Sequence, residues 1–276
     1  MQLFYDVLKD SKKALLELSR VDRFFHVLWL LGPFILLVER SPGDAYITSI
    51  AFAFIFRSLK KRDGVWLKPF WVKSAFAFWG VCLVSAAFSP SPYYALGEAF
   101  IWFRFPLFAI ATVFWLSADK HLLNLMLIST AFALLLMCGI LLSEIMIEGF
   151  KSRLSWRYDD LVPGNYLAKV GLPVVVFSVA YFLSSSGWKS ILIGGYCLLI
   201  IGMTLMTGER INFLILFCAV LITIFILEPS WKKRSFISLA ISLIPISLFY
   251  LLPTVFDRFF TSFLLQLPIH QGSPYY

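Results

Sequence analysis

Apolar residues fill this chain in blocks of about twenty, separated by short polar joints. A block of that length can cross the hydrocarbon core of a bilayer as a helix. Nine blocks fit, at 22–39, 43–58, 69–88, 100–118, 122–146, 165–185, 188–206, 210–228 and 235–253. The second is the weakest: its clean apolar part, "AYITSIAFAFIF", is short enough for a re-entrant segment. Residues 1–20 have a different pattern. Charges occur throughout, and Leu3, Phe4, Val7, Leu8, Leu15, Leu16 and Leu18 suggest an amphipathic helix lying in the membrane interface. The pattern therefore predicts an all-α, polytopic bundle of about nine helices over 21–254. Residues 255–276 read as the start of a periplasmic region that is cut off.

Composition supports the membrane reading. The chain has 276 residues, 60% of them hydrophobic and 14% charged, against about 45–50% and 25% in soluble domains. Charge placement then predicts sidedness. With nine spans, the N-terminus and the loop holding Arg57, Lys60, Lys61, Arg62, Lys68 and Lys73 are cytoplasmic, as the positive-inside rule expects. The joint "TGER" at 207–210, the loop 147–164 and the C-terminus then lie outside. The net charge of +8 fits this asymmetry better than a nucleic-acid groove. Cys82, Cys138, Cys197 and Cys218 lie singly inside apolar runs, which indicates neither a disulfide framework nor a zinc site.

Arginines at the outer ends of helices are the candidate chemistry. Arg210 opens the eighth helix directly after Gly208 and Glu209. It either snorkels to the headgroups or turns inward, where a guanidinium suits bidentate contact with phosphate. Glu209 could orient it. Arg157 and Arg153, with Lys151, put positive charge on the outer face against the trend, although Asp159 and Asp160 could balance them in a solvated loop. Asn165 is placed to cap the sixth helix, and Lys169 lies about one turn further on. Arg104 is expected about a turn into the fourth helix, with Glu98 as its candidate partner. No metal-ligand cluster, nucleophilic triad or phosphate-binding loop is visible, so neither a metal nor a cofactor is expected.

Three stretches carry a family resemblance: "FSPSPYYALGEAFIWFRFPLF" at 88–108, "RYDDLVPGNYLAKVGLPVVV" at 157–176 and "LMTGERINFLILF" at 205–217. Together they resemble the O-antigen ligase and O-antigen polymerase superfamily, in which a helix with an arginine, an outer loop with Pro and Asn, and a short arginine joint follow in this order. The resemblance implies a metal-independent glycosyltransferase in the bacterial inner membrane. Its donor would be an undecaprenyl-diphosphate-linked glycan, and its acceptor lipid A-core or another glycan. It matches the joint arginine to Arg210 and the outer-loop arginine to Arg157, less securely to Arg153. Arg104, Arg153, Lys169, Glu209 and Asn165 would then bind substrate. Family members usually continue into a larger periplasmic region. The alternatives are a secondary transporter of an organic anion and a non-catalytic assembly subunit. Against transport, the polar residues are expected to cluster at the outer face rather than mid-membrane.

Overall fold

In lipid an apolar segment must satisfy its own backbone hydrogen bonds, which leaves it the helix. Each of the nine apolar runs is helical in the computed structural model, which describes residues 2–149, 154, 156 and 161–260. No strand occurs among the described residues. The helices are α1 (Gln2–Glu17), α2 (Arg20–Val38), α3 (Arg40–Lys61), α4 (Phe70–Ala87), α5 (Pro92–Trp102), α6 (Arg104–Ala111) and α7 (Lys120–Glu148). They continue with α8 (Pro163–Asn165), α9 (Leu172–Ser184), α10 (Trp188–Met206), α11 (Arg210–Leu227), α12 (Trp231–Leu251) and α13 (Pro253–Phe259).

Seven helical runs are long and apolar enough to cross a membrane: α2, α4, Pro92–Leu116, α7, α10, α11 and α12. A bent pair, Pro163–Val170 and Leu172–Ser184, makes an eighth if it acts as one span. The weak second run of the sequence forms α3, whose 22 residues extend about 33 Å. With Arg40, Asp44, Arg57, Lys60 and Lys61 in it, α3 is not among the seven. The chain divides into two compact units, Met1–Ser129 and Thr130–Tyr276, with α7 running across the division.

In the first unit, α3 packs against α2 and α6, and α4 against α5. Trp29, Tyr46, Ile50, Phe54, Ile110 and Leu116 form the centre of its core. Pro33 lies inside α2 and has no N–H to offer the carbonyl of Trp29 four residues earlier. The Tyr46 hydroxyl donates to that carbonyl instead, at 3.4 Å, and Ser129 Oγ donates to the next one, of Leu30. The Tyr46 ring reaches this position because residue 32 is glycine: a Cβ there would collide with its phenol end.

At the other end of the same helices, Asp22 gathers donors. Its carboxylate accepts from Trp115 Nε1 at 3.1 Å and Arg57 Nε at 3.3 Å. Arg23 reaches back along α1 to donate to the carbonyls of Leu15, Leu16 and Leu18, three acceptors that a helix end leaves unserved. Ser11 on α1 donates to the His121 carbonyl at 2.9 Å. Helix α1 therefore has specific attachments to the bundle in addition to its apolar face.

The second unit packs α9 against α10 and α11, places α12 on both, and sets α13 against α12. Helix α8 passes into a π-helical turn, Tyr166–Val170, and the chain bends by 53° before α9. The bend has a local cause. Gly171 donates to the Tyr166 carbonyl five residues back, and the Leu167 carbonyl lies where a Cβ on residue 171 would be. Pro173 then removes one further amide donor.

Gly32→Ala should lower the thermal unfolding midpoint of the detergent-solubilised protein, because overpacking a tight helix contact costs about 1–3 kcal/mol. Gly80→Ala, whose Cβ meets nothing within 4 Å, should leave the midpoint unchanged or raise it, since alanine is the better helix former. Equal midpoints for the two variants would contradict the seating of Tyr46 against α2.

Candidate functional site

The joint between α10 and α11 is built from contacts that only its own residues permit. Thr207 is fully buried and donates its hydroxyl to the Thr204 carbonyl at 2.7 Å. Gly208 follows with φ +73°, a left-handed conformation that glycine adopts without steric cost. The side chain of Arg258, on α13, fills the space that a Cβ on residue 208 would need. Gly164 has the same role on the α8 side, where a Cβ would strike Thr207 Oγ1 and the Cβ and Cγ of Glu209. Two glycines thus let α8, the joint and α13 close on one another.

Two arginines meet across this contact. Arg210, the first residue of α11, donates from Nε to the Arg258 carbonyl at 3.0 Å. Arg258 donates from Nε to the Gly208 carbonyl at 3.2 Å. The bonds are reciprocal: each guanidinium is oriented by the backbone on the side of the other. They hold two positive groups together at the amino end of an 18-residue helix, whose first amides add positive potential. A phosphate is the kind of anion that oriented guanidinium groups and helix-opening amides can hold.

One turn into α11, Asn212 is 5% exposed and donates from Nδ2 to Asn165 Oδ1 at 2.9 Å. The expected role of Asn165 as a helix cap is therefore corrected. The helix begins earlier, at Pro163, and the Asn165 side chain makes no cap bond, because Asn212 engages it. Lys169 lies exposed on the π-helical turn and bonds to none of these side chains. Arg153 and Arg157, together with Lys151, Asp159 and Asp160, lie outside the described residues.

Arg104 belongs to the first unit, and its setting corrects two expectations. The helical run containing it starts at Pro92, so Arg104 lies twelve residues in, near the middle of the Pro92–Leu116 span. Pro90 and Pro92 read as a turn, but a proline is also well suited to the first turn of a helix. The partner is Asp44 of α3: Arg104 Nη2 lies 2.6 Å from its Oδ1, with the two side chains 19% and 35% exposed. Glu98 is exposed and is not that partner. Arg104 Nε is buried with no hydrogen-bond partner.

The sequence reading did not single out Arg258, Asn212, Asp44 or Asp22. Asn212 and Arg258 carried faint signals, a polar residue one turn into an apolar helix and an Asp–Arg pair four residues after Pro253. Asp44 looked like part of an outer loop. Asp22 was hidden in a charged N-terminal stretch.

No family model, curated protein or solved structure matches this chain. The reading of the site thus rests on its geometry and on the motif resemblance alone.

Asn165→Ala and Asn212→Ala should each lower the unfolding midpoint, and the double variant should lose less than the sum of the singles. The coupling expected for one buried side-chain bond is about 1 kcal/mol. A strictly additive cycle would show that the pair does not couple α8 to α11. Gly208→Ala should be more damaging than either, since it adds backbone strain to a collision with Arg258. That ordering is read in the same thermal series.

Proposed function

We propose that this chain transfers a glycan from an undecaprenyl-diphosphate carrier to an acceptor hydroxyl at the periplasmic face of a bacterial inner membrane. The acceptor is lipid A-core in a ligase or another glycan in a polymerase. The observation that carries the proposal is the reciprocal Arg210–Arg258 pair at the start of α11. The pair adds Arg258 on α13 to the expected Arg210. Arg153 and Arg157 remain candidates for the same positive surface.

The chemistry follows from what leaves. Attack of an acceptor oxygen on the anomeric carbon forms a C–O bond and breaks the bond to the diphosphate, and the acceptor proton passes to a base. Negative charge builds on the departing phosphate oxygen. Guanidinium groups held in place beforehand stabilise that charge without reorganising, and each such donor lowers the barrier by about 3–4 kcal/mol. The Nη edges of Arg210 and Arg258 are the edges that would meet the phosphate oxygens. If α3 and the bent α8–α9 pair both span, the joint and α13 lie on the side opposite the basic 57–73 loop, which the positive-inside rule places outside the cytoplasm.

Transport of an organic anion is the second reading, and two observations favour it. A charged pair, Arg104 with Asp44, lies well inside a span, and helices are interrupted in both units. Pro92–Leu116 breaks at Phe103 and ends in a π-helical turn, and Pro163–Ser184 bends at Gly171. Interrupted helices with mid-membrane charge are the signature of transporters.

Glycan transfer from a synthetic undecaprenyl-diphosphate oligosaccharide should be measurable with the purified protein in lipid vesicles. Arg210→Ala and Arg258→Ala should each reduce it about 100-fold or more, with membrane levels unchanged. Transfer within threefold of wild type for both variants refutes the role of the pair. Uptake of a labelled sugar phosphate by protein-containing vesicles, abolished by Asp44→Asn and untouched by Arg210→Ala, would select the transport reading.

A further inference from the structure

A second feature lies in the first unit. Two cavities open along α3. One, of about 430 Å³, is lined by Thr48, Phe52, Ile55, Phe100, Phe103 and the stem of Arg104. The other, of about 450 Å³, is lined by Ile55, Leu59, Arg62, Asp63, Trp66 and Phe76. Ile55, Phe103 and Leu107 line both, so the two adjoin end to end in a groove along α3. From Thr48 to Arg62 the groove follows α3 for fourteen residues, about 21 Å at 1.5 Å per residue. An extended acyl chain of sixteen to eighteen carbons has about that length.

The walls are apolar, and the two ends differ in charge. At the Thr48 end Arg104 is neutralised by Asp44. At the other end Arg62 is exposed and makes no ion pair among the described residues. Its backbone is held at φ +50°, closing α3 with bonds from its N–H to the carbonyls of Leu59 and Ser58. Lys60 and Lys61 precede it on the last turn of α3. Asp63 is the one acid lining that end, and its Oδ1 already accepts from the Val65 amide at 3.0 Å. An apolar groove that ends beside an exposed Arg62 matches a ligand with one long chain and an anionic head.

We infer that this groove holds an anionic phospholipid, with its phosphate at Arg62 and one acyl chain running past Ile55 toward Arg104. The site is independent of glycan transfer and of the arginine pair. The charge at Arg62 selects the headgroup, and the apolar lining around Ile55 meets the chain.

Native mass spectrometry of the purified protein in detergent, with dioleoyl phosphatidylglycerol or dioleoyl phosphatidylcholine added at equal concentration, tests this. Wild type should retain one phosphatidylglycerol at least about fivefold better than phosphatidylcholine. Arg62→Ala should bring the two to parity. Ile55→Trp, which fills the point where the cavities meet, should reduce retention of both lipids with helicity by circular dichroism unchanged. Equal retention of the two lipids by wild type overturns the inference. So does undiminished phosphatidylglycerol retention in Ile55→Trp, which would leave only charge at the surface. If Ile55→Trp loses helicity, Leu59→Trp, at an exposed lining position, replaces it with the same expected result.

Discussion

A charged group carried into lipid costs several kcal/mol unless another group meets it there, and that constraint explains the polar architecture of this chain. Asp22 is met by Trp115 and Arg57, and Arg104 by Asp44. Arg210 and Arg258 are each met by a backbone carbonyl on the other's side. Carbonyls that proline or a helix end leaves unserved are treated in the same way: Tyr46 serves Trp29, and Arg23 serves the end of α1. Because apolar surface alone does little to choose between helix partners in a bilayer, these polar contacts do much of the choosing. They determine which apolar helix lies against which.

The glycines have a complementary role. A polar contact between helices requires close approach, and close approach requires the absence of a Cβ. Gly32 admits Tyr46, Gly164 admits Thr207 and Glu209, and Gly208 admits Arg258. In the last two cases glycine and guanidinium belong to one device, since Arg258 could not reach the Gly208 carbonyl past a side chain. Any substitution in the 207–210 joint therefore acts on the arginine pair through the backbone. This separates it from Arg104, whose partner is another side chain.

The helices were legible because their signal is local. Each apolar run is long, and lipid allows it only one conformation, so all nine runs are helical where described. Their ends were less legible. The run placed at 100–118 begins at Pro92, since a proline that would break a helix from within is favourable at its start, and this moved Arg104 from near an end to the middle. The site was half legible. Arg210 and Asn165 stood out as polar residues at the edges of apolar runs. Their partners, Arg258 and Asn212, lie 48 and 47 residues away, and nothing local announces a contact at that separation. The pairing of Arg104 with Asp44, sixty residues before it, failed for the same reason, since Glu98 was nearer in sequence and further in space.

The two arginine sites also differ in what they can do. Arg104 faces a carboxylate at 2.6 Å, so the pair presents little net charge to a ligand. It can respond to one only if the contact opens, which suits a switch or a carrier better than a fixed anion site. Arg210 and Arg258 have carbonyls opposite their Nε atoms, and these bonds orient both guanidinium groups. A reaction that expels a diphosphate gains most from cations that are oriented before it begins. On that ground the joint between α10 and α11 is the stronger candidate for chemistry, although Arg104 is the more deeply placed charge.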